Sequence, residues 1–173
     1  MKLILAITGA SGTNLAKKFI EYLPKEIELH LIATDHAKIV DSLENKNITL
    51  HNNKNIGASI ASGSFQVDAT AIIPCSMNTL AKIACGISDN LVTRVASVAL
   101  KEQKKLLLAP REMPFSAIPL ENMLKLSRLN VIIAPPVMGY YSESETIEEM
   151  ERFIIGKWYD ALGIENNLYR RWS

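Results

Sequence analysis

Five largely apolar runs of strand length alternate with segments of helix length, and this alternation constrains the fold more than any other feature of the chain. The runs are Leu3–Thr8, Glu28–Ala33, Ala69–Pro74, Lys105–Ala109 and Val131–Ala134. A strand that is apolar on both faces has neither face to give to water, so it must be covered twice. The helix-length segments are Asn14–Leu23, His36–Glu44, Leu80–Ala84, Asn90–Glu102 and Pro119–Leu126. A final one, Thr146–Leu162, carries Ile147, Met150, Phe153, Ile154 and Trp158 at near-helical spacing. The pattern predicts a doubly wound α/β fold of the Rossmann/flavodoxin type, a parallel sheet with helices on both faces. The 173 residues read as one such domain, 1–173, without repeats, low-complexity tracts or a linker.

Composition narrows the partners. A formal charge of +1 argues against a surface built for polyanions, and the pairs Lys104-Lys105 and Arg170-Arg171 are too small to change that. No apolar run approaches a membrane span. The opening Met1–Ile7 resembles a short signal peptide, but its apolar run stops at Gly9 and is better used as a first strand. Cys75 and Cys85 lack metal-ligand spacing and read as reduced thiols, so the expected location is the cytoplasm and no metal is expected.

Ligands of doubly wound sheets bind beyond the carboxyl ends of the strands, and the informative loops fall there. Thr8-Gly9-Ala10-Ser11-Gly12 is a small-residue turn that lets backbone approach a ligand, although it lacks the third glycine and the acidic partner of the dinucleotide fingerprint. Ala33-Thr34-Asp35 follows the second run. Pro74-Cys75-Ser76-Met77-Asn78-Thr79 places hydroxyl and amide side chains where a helix begins. Either Asn78 or Thr79 caps that helix, or its free N–H groups receive an anionic or carbonyl-rich ligand. Pro110-Arg111-Glu112 is a surface ion pair or part of a site, and its position after a buried strand favours the site. Leu120-Glu121-Asn122-Met123-Leu124 reads as the opening of a helix. Tyr140-Tyr141, after Pro135-Pro136, is an aromatic pair for packing or for a ligand. Asn52–Ser64 reads as a flexible loop in which Ala61-Ser62-Gly63-Ser64 is either a phosphate cradle or a linker.

Taken together, Gly9–Gly12, Pro74–Ala81, Asp89-Asn90-Leu91, Arg94, Val98–Glu102, Pro110-Arg111-Glu112, Leu120–Leu126 and Ala134-Pro135-Pro136 resemble the UbiX-type flavin prenyltransferases over essentially the whole chain. The resemblance implies a metal-independent transferase that alkylates N5 and C6 of reduced FMN with dimethylallyl phosphate and releases phosphate. The prenylated FMN serves decarboxylases of the UbiD type, as in ubiquinone biosynthesis, and the family forms homododecamers. Carried over residue by residue, Gly9, Ala10, Ser11, Thr34, Ser76, Met77, Asn78, Thr79 and Arg111 correspond to the FMN-binding positions. Tyr141 and Lys157 fall where the family binds the prenyl phosphate. Arg94, Lys101 and Glu112 match positions around that phosphate, some from neighbouring subunits, and Glu112 is the candidate for proton traffic. Glu44 aligns with a further family carboxylate in a shortened neighbourhood. Trp172 either stacks over the prenyl group or packs on a neighbour.

Cationic Arg94, Lys101 and Lys157 suit a departing phosphate, since donors fixed toward developing charge act most strongly in a site closed to water. The chain departs from the family pattern at Met138, where a proline is common, and at Lys157, where arginine is frequent; lysine keeps the charge but loses the bidentate fork. Two alternatives share parts of the pattern. A flavin-dependent peptidyl-cysteine decarboxylase would need a histidine near Ala61–Phe65, which holds none, while His30, His36 and His51 lie elsewhere. A non-catalytic FMN-binding subunit would have no use for the five residues Arg94, Lys101, Glu112, Tyr141 and Lys157 together.

Overall fold

All six strands run parallel, in the spatial order β3-β2-β1-β4-β5-β6. The computed structural model describes residues 1–9, 13–33, 47–142 and 144–171. Strands β1 (Lys2–Ile7), β2 (Glu28–Ala33), β3 (Ile48–His51), β4 (Ala69–Cys75), β5 (Lys105–Pro110) and β6 (Ile132–Ile133) alternate with α1 (Thr13–Tyr22), α2 (Met77–Ala84), α3 (Leu91–Lys101), α4 (Ala117–Ser127) and α5 (Ile147–Leu162). The predicted helix His36–Glu44 lies outside the described residues. Among those residues, no helix is long and apolar enough to cross a membrane.

The chain begins in the middle of its own sheet. Leu3 pairs with Leu29 of β2 on one side and with Ala69 of β4 on the other. It moves outward through β2 to β3, then crosses back to start β4, so the direction of winding reverses between β1 and β4. Side chains along β1 alternate between the two faces. Leu3, Leu5 and Ile7 pack with Phe19 and Ile20 of α1 and with Ile155, Trp158 and Tyr159 of α5. Ile4 and Ala6 join Leu80 of α2 and Val92, Val95 and Ala96 of α3 on the opposite face. Every residue of β4 is buried, which is why its sequence is apolar without alternation.

Local chemistry fixes the helix ends. Asn90 and Thr93 form a reciprocal capping box at α3, as do Thr146 and Glu149 at α5. Hydrogen bonds from the amides of Glu145 and Thr146 hold the Glu149 carboxyl below the usual carboxylate range. Tyr159, buried against α1, donates its hydroxyl to Phe19 O, and burial pushes that phenol's pKa up. Trp158 Nε1 donates to Ala134 O at 2.9 Å, tying α5 to the loop after β6.

Three expectations change. The stretch read as a flexible loop, Asn52–Ser64, contains a 3₁₀ turn at Ser59–Ala61, with Ile60 in the core. β3 precedes it, a sixth strand where five were predicted, and it carries His51. Helix α4 opens at Ala117, three residues before Leu120, so the Leu120–Leu124 block lies inside it.

Candidate functional site

The reversal between β1 and β4 opens a crevice at the carboxyl edge of the sheet, where a doubly wound fold binds its ligand. Thr8 staples its two walls. The amide and hydroxyl of Thr8 each donate to Pro74 O at 3.1 Å, and Thr8 Oγ1 accepts from the amide of Ser76 at 2.9 Å. Gly9 follows with φ 89°, a conformation other residues rarely adopt. A Cβ on Gly9 would stand 3.7 Å from that of Ser76, in ordinary contact, so the backbone angle rather than crowding calls for glycine.

Ser76 caps α2. Its Oγ accepts from the amide of Thr79 at 3.2 Å and donates to Thr79 Oγ1 at 3.0 Å. The cap is therefore Ser76, not Asn78 or Thr79 as the sequence suggested, because the strand ends at Cys75 and the helix starts at Met77. The cap leaves the first amides, of Met77 and Asn78, without a helical partner. Thr79 is buried, Ser76 and Met77 are half-buried and Asn78 is exposed. Cys75, beneath them, is inert: burial pushes its thiol up to about 12.

β5 adds the next wall. Cys75 and Pro110 are ladder partners, so Ser76 and Arg111 leave the sheet side by side. Arg111 and Glu112 are both exposed, and no Arg111–Glu112 ion pair forms among the described residues. Glu112 Oε1 instead accepts from the amide of Met113 at 3.1 Å.

The other candidates gather elsewhere in the chain. Arg94 and Lys101, seven residues apart on α3, border an open depression of about 470 Å³ against the 57–64 segment. Arg94 Nε donates to Ala61 O at 3.2 Å. Lys101 pairs with Glu102, which holds the Glu102 carboxyl below its usual range. Tyr141 and Lys157 are exposed and belong to a third group along α5. The Tyr141 ring meets Phe153 edge-on at 5.6 Å. Lys105, the first residue of β5, donates to Leu162 O, which places the end of α5 at the amino edge of the sheet. One chain therefore brings Gly9, Ser76–Thr79, Arg111 and Glu112 to one edge and keeps Arg94, Lys101 and Lys157 on other surfaces. Ala10, Ser11, Thr34, Glu44 and Trp172 lie outside the described residues.

Two residues were given no role of their own by the sequence reading. Thr8 has a signal in hindsight, as the hydroxyl closing an apolar strand. Asp160, which receives Tyr169, Asn166 and Arg171, has none, since those contacts depend on a chain reversal.

Comparison with known proteins matches this fold and sequence. The sequence model of the Flavoprotein family matches residues 1–158. A flavin prenyltransferase UbiX from Helicobacter pylori is 54% identical, over 100% of this chain and 99% of its own. The crystal structure of a dodecameric FMN-dependent UbiX-like decarboxylase from Escherichia coli O157:H7 superposes with a TM-score of 0.91 at 40% identity, covering 100% of both chains. AnUbiX (PadA1) in complex with FMN and dimethylallyl pyrophosphate also gives 0.91, at 34% identity over 99% of this chain and 97% of its own. The chain belongs to the UbiX family of flavin prenyltransferases.

Proposed function

We propose that the protein transfers a dimethylallyl group from dimethylallyl phosphate to N5 and C6 of reduced FMN, in a site completed by neighbouring subunits. The observation that carries this is the juxtaposition of the Gly9 turn with Ser76 at the start of α2, set in a chain that matches a solved relative bound to FMN and dimethylallyl pyrophosphate along nearly its whole length. The positive-φ turn at Gly9 and the unpartnered amides of Met77 and Asn78 suit a ligand rich in phosphate and carbonyl oxygens. Asn78, Thr79 and Arg111 bring further donors to the same edge, and Ala10, Ser11 and Thr34 are assigned there by resemblance.

In the transfer, the allylic C–O bond breaks and its electrons leave with phosphate, while flavin N5 supplies the pair for the new C–N bond. Arg94, Lys101, Lys157 and Tyr141 hold the departing phosphate and offset its charge. N5 loses its hydrogen as a proton as the C–N bond forms. Ring closure then breaks the remaining C=C bond, its middle carbon taking up a proton and its far carbon bonding to C6, whose hydrogen leaves as a proton, so the closure itself is proton-neutral. Glu112 carries proton traffic with the phosphate, with Glu44 assisting ring closure and Trp172 covering the prenyl group.

The dispersal of the cations over separate surfaces supports assembly, as does the apolar face of α4, where Ile118, Leu120 and Leu124 are 71%, 50% and 52% exposed. We assign the chain, as a single domain spanning 1–173, to a homododecamer like that of its Escherichia coli relative. Its prenylated FMN passes to a UbiD-type decarboxylase. The two free thiols fit a reducing cytoplasm. A peptidyl-cysteine decarboxylase fits less well, because His30 and His51 bond to each other across β2 and β3.

The test is anaerobic incubation with reduced FMN and dimethylallyl phosphate, followed by mass spectrometry of the flavin and assay of free phosphate. An unchanged flavin mass without phosphate release refutes the proposal. Glu112→Gln is expected to slow prenylation by about 10²-fold or more while FMN still binds.

A further inference from the structure

Residues 164–171 fold back along α5. The reversal is made at Gly163, with φ 81°, where its amide bonds to Asp160 O at 3.1 Å and that of Ile164 to Tyr159 O at 2.8 Å. Phe153, Gly156, Lys157 and Asp160 are spaced three, one and three residues apart, so they share one face of the helix. The returning Tyr169 lies along that face. Its ring meets Phe153 edge-on at 5.2 Å, and Lys157 Nζ stands 5.9 Å from its centroid. Gly156 makes the room: a Cβ there would come within 2.4 Å of Tyr169 Cδ1.

Asp160 terminates the row and gathers the returning segment. Its carboxylate accepts from Tyr169 Oη at 2.5 Å, from Asn166 Nδ2 at 2.9 Å, and from the guanidinium of Arg171 at 2.8 and 3.1 Å. The partial burial of Asp160 opposes ionisation, but the bonds from Arg171, Tyr169 and Asn166 outweigh it and hold the carboxyl below its usual range. The bonds have a second effect. Asp160 is three residues beyond Lys157, at a spacing where a free carboxylate would pair with the ammonium. With both oxygens engaged by other donors, Lys157 makes no ion pair among the described residues. The row continues through Phe153 to Tyr141, and Phe153 also underlies Gly139, where a Cβ would come within 2.5 Å of the ring.

We propose that Asp160 is a positioning residue for prenyl transfer: its carboxylate clasps Tyr169 and Arg171, so that the returning segment sets Tyr141 and leaves Lys157 uncommitted for the allyl phosphate. This rests on the assignment of Tyr141 and Lys157 to that phosphate. Arg171 and Tyr169 act on the reaction only through this arrangement. The clasp also holds the segment that leads to Trp172.

Asp160→Asn and the milder Tyr169→Phe, in the full-length assembled protein, test the proposal. Three readouts are taken: steady-state kinetics with dimethylallyl phosphate, FMN affinity, and hydrogen–deuterium exchange of peptides covering 164–171. Loss of a charge-assisted bond predicts a roughly tenfold rise in KM for dimethylallyl phosphate, with kcat within about twofold of wild type. FMN affinity stays unchanged and exchange across 164–171 quickens. An unchanged KM, unchanged exchange, or a matching loss of FMN affinity overturns the clasp. If wild type releases no phosphate, the transferase assignment falls on its own. The clasp is then judged by exchange and by calorimetric binding of dimethylallyl phosphate: weaker binding to Asp160→Asn than to wild type sustains it, and equal or absent binding overturns it.

Discussion

Thr8→Val removes the staple between β1 and β4 with almost no change of shape. The Thr8 side chain is buried, its hydroxyl donates to Pro74 O, and it accepts from the Ser76 amide. After the substitution Pro74 O still receives the Thr8 amide, so the principal loss is an acceptor for Ser76 N–H. That amide is only half-buried, which sets the cost in the lower part of the range for an unpaired group, about 1.5 kcal/mol. For a chain of this size the expected fall in Tm is about 3–6 °C. Because the same amide positions the cap of α2, FMN affinity is expected to fall as well. Thr8→Ser separates the two effects. It loses about 0.8 kcal/mol with its methyl group but keeps both hydrogen bonds, so FMN affinity is retained. The assays are urea unfolding at fixed protein concentration, since assembly couples to stability, and titration of flavin fluorescence. A Thr8→Val protein within about 0.5 kcal/mol of wild type, with unaltered FMN affinity, refutes the reasoning.

Two further outcomes follow from a half-buried histidine and a buried thiol. Burial and then the charge of His30 lower the pKa of His51 from its ordinary 6.5. In the window between that lowered value and 6.5 the unfolded chain binds the extra proton, so this contribution is complete above 6.5 and is lost as pH falls through the window. Tm measured against pH is expected to lose part of its slope in His51→Gln; identical slopes would contradict the assignment. Cys75 is 1% exposed and its thiol is pushed up to about 12, so iodoacetamide is expected to spare it in the native protein and label it in denaturant. Native labelling of Cys75, read by peptide mass spectrometry, would show that the floor of the crevice opens.

Much of the sheet was legible because its central strands are buried on both faces. β2 has the predicted bounds, and β1, β4 and β5 differ at their ends by one residue. β3 was not legible. Ile48-Thr49-Leu50-His51 is short, occupies the edge and exposes Thr49 and Leu50, so no apolar run marks it. The cap of α2 was legible in kind but not in position. Ser76, Asn78 and Thr79 can all cap, and only the end of β4 chooses among them. The Asn52–Ser64 segment has a loop's composition, yet it is ordered by local bonds such as Ala61 N to Ala58 O and by Arg94 reaching Ala61 O. The residues of the candidate site were recognisable as family motifs. Their distribution over three surfaces was not, because periodicity places a residue on its own helix and says nothing of which edge of the sheet that helix reaches.

The central place of β1 has a consequence for biosynthesis. Thr8 and Pro74 bond across 66 residues of sequence, and contacts of such separation form slowly and only after loop closure. A nascent chain that has emerged as far as β3 has its glycine turn and three strands, but it lacks the partner strand that makes the opposite wall. Flavin can therefore select only chains in which β4 has threaded in beside β1. The earliest-made strand must wait, one flank unpaired, until nearly half the protein has been synthesised.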